Sequence, residues 1–213
     1  MNARQSSWTP VFGACLLAAV LELTGCLSRP ALKIETFTFN SPAGEMTNAV
    51  ASGRVLGIRK LQVAAPFEGR SLVYRTANVA YVRDPYAAFL EFPAEELMSP
   101  VRESLRRDGD FRAVVSGGSA LKADTLVEIN INQLYGDFRQ RNHPLAVLNA
   151  QFTYFDALNG VPGKVILQRE YSRSLPLDSL TATALMKGWD QALAEILADV
   201  SADFARAENE SGR

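Results

Sequence analysis

Two cysteines, Cys15 and Cys26, and a single histidine, His143, stand in 213 residues. So few soft ligands exclude the four-ligand Cys/His zinc site, and two cysteines do not make the disulfide framework of a small secreted domain. Charge of one sign is also lacking. Lys and Arg number 22 against 23 Asp and Glu, and the longest like-charge runs are the pairs Glu95-Glu96 and Arg106-Arg107. Without a basic face or stripe, a general nucleic-acid binder is excluded. No apolar run approaches the roughly 20 residues that cross a bilayer.

Catalytic signatures are missing as well: there is no G-x-S-x-G elbow, P-loop, G-x-G-x-x-G or H-E-x-x-H. His143 sits in Arg141-Asn142-His143-Pro144, a turn ahead of a strand, with no second imidazole or thiol to work with, and reads as a surface residue. Glu95 and Glu96 are neighbours on a helix end, so their carboxyls diverge, whereas glycoside hydrolysis needs two carboxyls facing a shared space. A cell-wall hydrolase is therefore the weakest of the readings, and no catalytic residue, metal or cofactor is expected.

What the sequence does have begins at its N-terminus. Residues 1–25 read as a secretory leader, with Arg4 and the free amine as its charge and Val11 to Leu21 as its apolar stretch. Leu23-Thr24-Gly25-Cys26 follows at once and matches a bacterial lipobox. A thiol is the one side chain that takes a diacylglyceryl thioether, and small residues before it admit the lipoprotein signal peptidase. Cleavage before Cys26 removes Cys15 with the leader and leaves one alkylated sulfur, so a disulfide within the mature chain is excluded. Three acyl chains anchor stably where one holds marginally. Leu27, in place of the Asp that retains enteric lipoproteins at the inner membrane, favours the outer membrane.

With 47% hydrophobic and 21% charged residues, the remainder has the composition of one globular domain on a tether. Residues 26–53 are read as the lipidated tether, a first strand at 34–39 and a mobile loop at 40–53. The domain follows at 54–207, and 208–213 is a polar tail. Val55 to Val63 reads as a strand. Leu72–Thr76 and Val79–Val82 pair as a hairpin across Ala77-Asn78. Leu97, Val101 and Leu105 repeat every four residues, a helix of about three turns stopped at Asp108-Gly109. Pro100 allows two starts: Ser99 caps a helix beginning at Pro100, or the helix begins near Ala94 and bends.

Phe111 to Val115 is a short strand with its turn at Gly117-Gly118-Ser119. Val127, Ile129 and Ile131 alternate with polar residues, and the apolar phase then jumps to Leu134, which implies a β-bulge or kink. Leu148, Ala150, Phe152 and Tyr154 form the next strand, and Asn159-Gly160 turns it into a hairpin with Val165, Leu167 and Tyr171. From about Thr181 to Arg206, Leu185, Trp189, Leu193, Ile196, Val200 and Phe204 recur at spacings of three and four, a long amphipathic helix. Short turns between successive strands favour antiparallel pairing. The expected fold class is thus α+β, a single domain of mostly antiparallel sheet with two helices on one face. Aromatic residues in the strands are expected to fill the core; where both faces carry rings, as at Phe152 and Tyr154 against Phe155, one side is a candidate partner or acyl surface.

Several stretches resemble the ABC-type transport auxiliary lipoproteins that accompany MCE-domain proteins. They are Leu56-Gly57-Ile58-Arg59 leading to Ala65-Pro66-Phe67, then Gly69 to Thr76, Tyr86-Ala87-Ala88-Phe89, Leu134-Tyr135-Gly136-Asp137-Phe138-Arg139, and a closing helix with Trp189, Ala192, Leu193, Ile196 and Leu197. The resemblance implies a non-enzymatic, lipid-anchored periplasmic domain. Its partners would be an MCE-domain protein and the ABC permease and ATPase of the same system, with phospholipid a candidate ligand. Only the acylated Cys26 carries over residue by residue. The alternative reading is a structural or assembly lipoprotein of the outer membrane, of the lipopolysaccharide-export plug or cell-wall synthase activator type. Homo-oligomerisation is left open.

Overall fold

A computed structural model of the chain describes residues 33–40, 52–108, 111–117, 119–158 and 160–210. The leader, Leu23, Thr24, Gly25 and Cys26, most of the tether, residues 41–51, Gly109, Asp110, Gly118, Asn159 and residues 211–213 lie outside the described residues. The chain divides into two units, Met1–Lys33 and Ile34–Arg213.

The second unit is built from β1 (Glu35–Phe37), β2 (Ser52–Val63), β3 (Ser71–Arg75), β4 (Tyr81–Phe89), α1 (Pro93–Asp108), β5 (Phe111–Ser116), β6 (Thr125–Asp137), β7 (Leu145–Leu158), β8 (Val161–Pro176) and α2 (Ala182–Glu210). Among the described residues the eight strands make one forked sheet. β6 is the stem. One of its edges pairs with β7, which pairs with β8; the other carries β2 along residues 125–131 and β3 at residues 136–137, end to end. β5 extends the β2 branch, and β4 then β1 extend the β3 branch.

The expectation of a mostly antiparallel α+β sheet is corrected. The domain is a single α/β unit with a mixed sheet, and four of its seven strand pairings among the described residues are parallel: β1–β4, β2–β5, β2–β6 and β3–β6. The physical reason is that most neighbours in the sheet are not neighbours in sequence: β2 lies between β5 and β6, β3 beside β6 and β1 beside β4, so no short turn fixes the direction of these pairs. Only β3–β4, β6–β7 and β7–β8 keep the antiparallel pairing that short turns allow.

Local chemistry accounts for the element ends. Pro93 opens α1, where its missing N–H costs nothing, so of the two starts weighed for this helix the structure has the earlier one, with Pro100 inside. Glu96 turns inward and accepts from the Glu91 N–H at 2.8 Å and the Thr38 hydroxyl at 2.5 Å, while Glu95 faces solvent. The Thr181 hydroxyl caps α2 by accepting from the Ala184 N–H at 3.2 Å. Leu158 pairs with Val161, and Gly160 between them has φ +81°, the left-handed conformation that glycine tolerates.

The phase jump in β6 is a bulge. Ile131 pairs with Ala150 and Gln133 with Asn149, leaving Asn132 as the extra residue, its amide donating to the Asn149 side-chain oxygen at 3.1 Å. Ile131 and Leu134 are therefore both buried although they lie three apart.

Both helices cover one face of the sheet, α1 over β2 and β5 and α2 over β7 and β8. The fully buried Trp189 of α2 donates its indole N–H to the Val147 carbonyl at 3.1 Å and stacks on Phe89, which stacks in turn on Phe39. Near the end of α2, buried Asp203 accepts from Tyr171 at 2.9 Å and from Arg169, fixing the helix to β8. The opposite face carries Lys60, Gln62, Glu128, Asn130, Gln151, Gln168 and Glu170 on cross-strand neighbours, and is polar and open.

Candidate functional site

The β3–β4 hairpin and the segment after β6 meet at one end of the sheet, and side chains with unusual surroundings gather there. Gly136, near the end of β6, makes the meeting close. A Cβ at this position would lie 3.0–3.1 Å from atoms of Phe138, Leu185 and Tyr74. Hydrogen in place of a methyl lets the Tyr74 and Phe138 rings stack at 4.7 Å. The Tyr74 hydroxyl donates to Asp84 at 2.7 Å, and burial together with that carboxylate pushes the phenol far above its ordinary range. Asp84 uses its other oxygen to accept from the backbone N–H groups of Tyr86 and Ala87, at 2.8 and 3.0 Å. This Asx turn inside β4 explains the register jump between Ser71↔Ala88 and Val73↔Arg83.

Asp137 is buried and grips Arg139. Its carboxylate accepts from the guanidinium at 2.6–3.1 Å, which holds the acid below the usual carboxylate range in spite of burial. Arg139 also donates to the Asn78 side chain at 3.3 Å, and Arg75 donates to the Asn78 carbonyl at 2.6 Å. Two arginines thereby clamp the hairpin tip. Behind it Tyr81 packs edge-on against Tyr135 and Phe67, with the Arg75 guanidinium 5.7 Å from its ring centre.

This rigid tip exposes apolar surface: Val79 is 94% exposed, Tyr81 46% and Val82 51%. Open grooves of about 320 and 530 Å³ flank Arg139, the smaller reaching His143 and the larger lined by Tyr74, Phe138, Arg141 and Leu180. Held apolar side chains between fixed charges suit the docking of a protein surface.

The lipobox residues Leu23, Thr24, Gly25 and Cys26 lie outside the described residues. His143 is exposed, with its N–H bonded to the Gln140 carbonyl at 3.0 Å. No group of three metal-ligating side chains occurs among the described residues, and none of their helices is long and apolar enough to cross a membrane. Of the rings for which one side was expected to be a partner or acyl surface, Phe152 and Tyr154 are buried and Phe155 is half-buried; among the described residues the exposed phenylalanine and tyrosine rings are Tyr81, Tyr86 and Phe92. Sequence reasoning missed the Asp137–Arg139–Asn78 clamp. Its signal was the run of polar residues from Arg139 to His143, just beyond the end of β6.

A Xanthomonas campestris protein of the DUF330 family has the same fold: 15% identity, a TM-score of 0.64, and a superposition that covers 79% of this chain and 94% of that one. A second solved protein, described as uncharacterized, is 16% identical with a TM-score of 0.59, over 72% and 93%. None of the curated proteins compared with this chain matches it. The sequence itself says more than these folds do. Residues 37–201, from β1 into the last turns of α2, match one family along their whole length, and this chain belongs to the ABC-type transport auxiliary lipoprotein component family.

Proposed function

We propose that the chain is exported, cut before Cys26 and acylated there, and acts from the membrane as a non-enzymatic accessory of an MCE-linked ABC-type lipid transport system. Its folded domain docks on the MCE-domain protein or permease through the hairpin tip that bears Val79, Tyr81 and Val82. The observation that carries this reading is the family match over residues 37–201, joined to a lipobox upstream that ends at Cys26. The tip supports it, because clamping by Arg75 and Arg139 pays the ordering cost of a loop before a partner arrives. Leu27 favours the outer membrane as the site of anchoring.

The test is affinity purification of tagged, cross-linked protein from solubilised envelopes, with Cys26→Ser and Val79→Asp alongside, followed by mass spectrometry of proteins and lipids. An MCE-domain protein and its permease are expected with the wild type and are lost with Val79→Asp, while Cys26→Ser appears without acyl mass in the soluble fraction. Co-eluting phospholipid would make the domain a carrier rather than a brace. Recovery of an outer-membrane β-barrel or a cell-wall synthase in place of the MCE protein would overturn the reading in favour of an assembly lipoprotein.

A further inference from the structure

The middle of the sheet's open face is polar, and one of its apolar areas lies along the β1–β4 edge. β1 and β4 run parallel with Glu35 opposite Ala87 and Phe37 opposite Phe89. Ala87 and Phe89 point into the core, so the alternate residues point the other way, and continuing the register places Ile34 beside Tyr86 on the outer face. Leu90 follows, its N–H bonded to the Phe37 carbonyl at 2.7 Å, and Phe92 precedes the first turn of α1. Ile34 is 54% exposed, Tyr86 56%, Leu90 51% and Phe92 55%. Four large apolar side chains, each half in water, thus follow the β1–β4 edge from Ile34 and Tyr86, over about 13 Å, to Leu90 and on to Phe92 before α1. Two rings of roughly 200 Å² and two aliphatic side chains, each about half exposed, amount to a few hundred square ångströms, a size that marks a binding surface.

Its position relative to the anchor says what covers it. Ile34 lies only eight residues after Cys26. Eight residues reach at most about 29 Å whatever path they take, so this corner is leashed to the bilayer that holds the acyl chains. So short a leash keeps the lipid surface within reach of that corner. Tyr, Phe, Leu and Ile are also the side chains that settle at a headgroup boundary.

We infer that the Ile34–Tyr86–Leu90–Phe92 corner seats on the lipid surface to which the chain is anchored, fixing the orientation in which the hairpin tip is presented. The inference rests on the lipoprotein reading above. Charge does not drive the seating. Arg70 and Lys33, the residue before Ile34, are offset by Glu35, Glu91 and Glu95, all exposed, so attachment comes from apolar burial and is insensitive to salt and to the anionic lipid fraction.

The mature chain, with Cys15 removed and Cys26 alkylated, has no free thiol, so one introduced cysteine is a clean label site. Full-length lipoprotein carrying L90C or V161C is labelled with bimane and reconstituted into phosphatidylethanolamine–phosphatidylglycerol vesicles. Val161 is a fitting control: it is 59% exposed and equally apolar, but sits on β8, four strand spacings and about 19 Å from β4. Headgroup-level nitroxide lipid should quench the L90C label several-fold more than the V161C label, and aqueous iodide the reverse, at both low and high salt. Equal iodide access at the two sites, stronger lipid quenching at V161C, or shielding of L90C only at high protein density would overturn the inference. Intact mass separates the two failures. Protein without acyl mass on Cys26 refutes the lipoprotein reading, whereas acylated protein with a water-exposed L90C label refutes the seating alone.

Discussion

Gly188→Ala tests how closely α2 lies on the sheet. A methyl at this buried position would stand 2.7 Å from the Ala146 Cβ and 2.6 Å from the Leu177 Cδ2, against the 3.5–4.0 Å of an ordinary carbon–carbon contact. Leu177 can swing its branch away. Ala146 cannot, because its Cβ is fixed to a β7 backbone paired with Gly136 on one side and Leu175 on the other. The helix must therefore lift. Helix propensity alone works in the opposite sense, since alanine gains about 0.5–1 kcal/mol over glycine inside a helix. Overpacking of a close contact costs about 1–3 kcal/mol. The net is a loss of about 1 kcal/mol, or a fall in Tm of about 2–4 °C for a domain of this size.

Thermal unfolding by circular dichroism measures this. The adjacent Trp189, the one tryptophan outside residues 1–25, reports the local shift by fluorescence. Ala146→Gly in the same chain vacates the space, and the double variant should recover most of the loss, a coupling of about 1 kcal/mol between the two sites. A G188A protein that melts at or above the wild-type temperature, or a double variant that is merely additive, would refute the reasoning.

At the hairpin clamp, Arg139 holds the Asp137 carboxyl below its ordinary range; the stabilisation is thus fully present above the ordinary value of about 3.9 and is lost only as pH falls through the lower, folded one. The protection factors of amides 76–80 against hydrogen exchange, taken relative to the intrinsic rate at each pH, should hold at pH 5 and fall below pH ~3.9, while Asp137→Asn removes this dependence. Gly136→Ala presses on Tyr74, Phe138 and Leu185, and should weaken the near-ultraviolet signal of the stacked pair and cost about 1 kcal/mol in a denaturant melt. Asp203→Ala strands the Tyr171 hydroxyl and the Arg169 and Arg206 guanidiniums, and should cost about 1–3 kcal/mol in the same assay. Asn132→Ala should cost under about 1 kcal/mol, and deleting Asn132 makes Ile131↔Ala150 and Gln133↔Asn149 consecutive pairs of a regular ladder with Leu134 still facing the core, so that variant should stay soluble and keep its circular dichroism spectrum.

Much of this was written in local chemistry. The bulge was legible because Ile131 and Leu134 are both apolar at odd spacing, and α2 because Leu185 to Phe204 keep one helical phase over its whole buried side. The β7–β8 turn was announced by Asn159-Gly160. Strand direction was not legible: nothing in Val55–Val63 says that its neighbours will be Val114 and Val127 rather than Val73, because partner choice is settled by strands that lie about fifty residues or more downstream. The clamp was hidden for a similar reason. Asp137, Arg139 and Asn78 are ordinary surface residues in sequence, and become a unit only when β3 lies against the end of β6. The exposure of Tyr86 and Phe92 likewise follows from which face β1 presents, a property of the pairing and not of either segment.

The forked stem also dictates the order in which the chain can fold. Among the described residues, β2 has no partner until β5 and β6, about fifty residues or more downstream, and β1 needs β4 across a similar gap. Among the strands before α1, only β3 and β4 can pair at once, as a hairpin. Pairings so distant in sequence form slowly, so most of the sheet waits for β6 to emerge and be braced by β7. For a chain exported unfolded and N-terminus first, as proposed above, that delay is useful: the half that leaves first cannot lock into structure before the half behind it has followed.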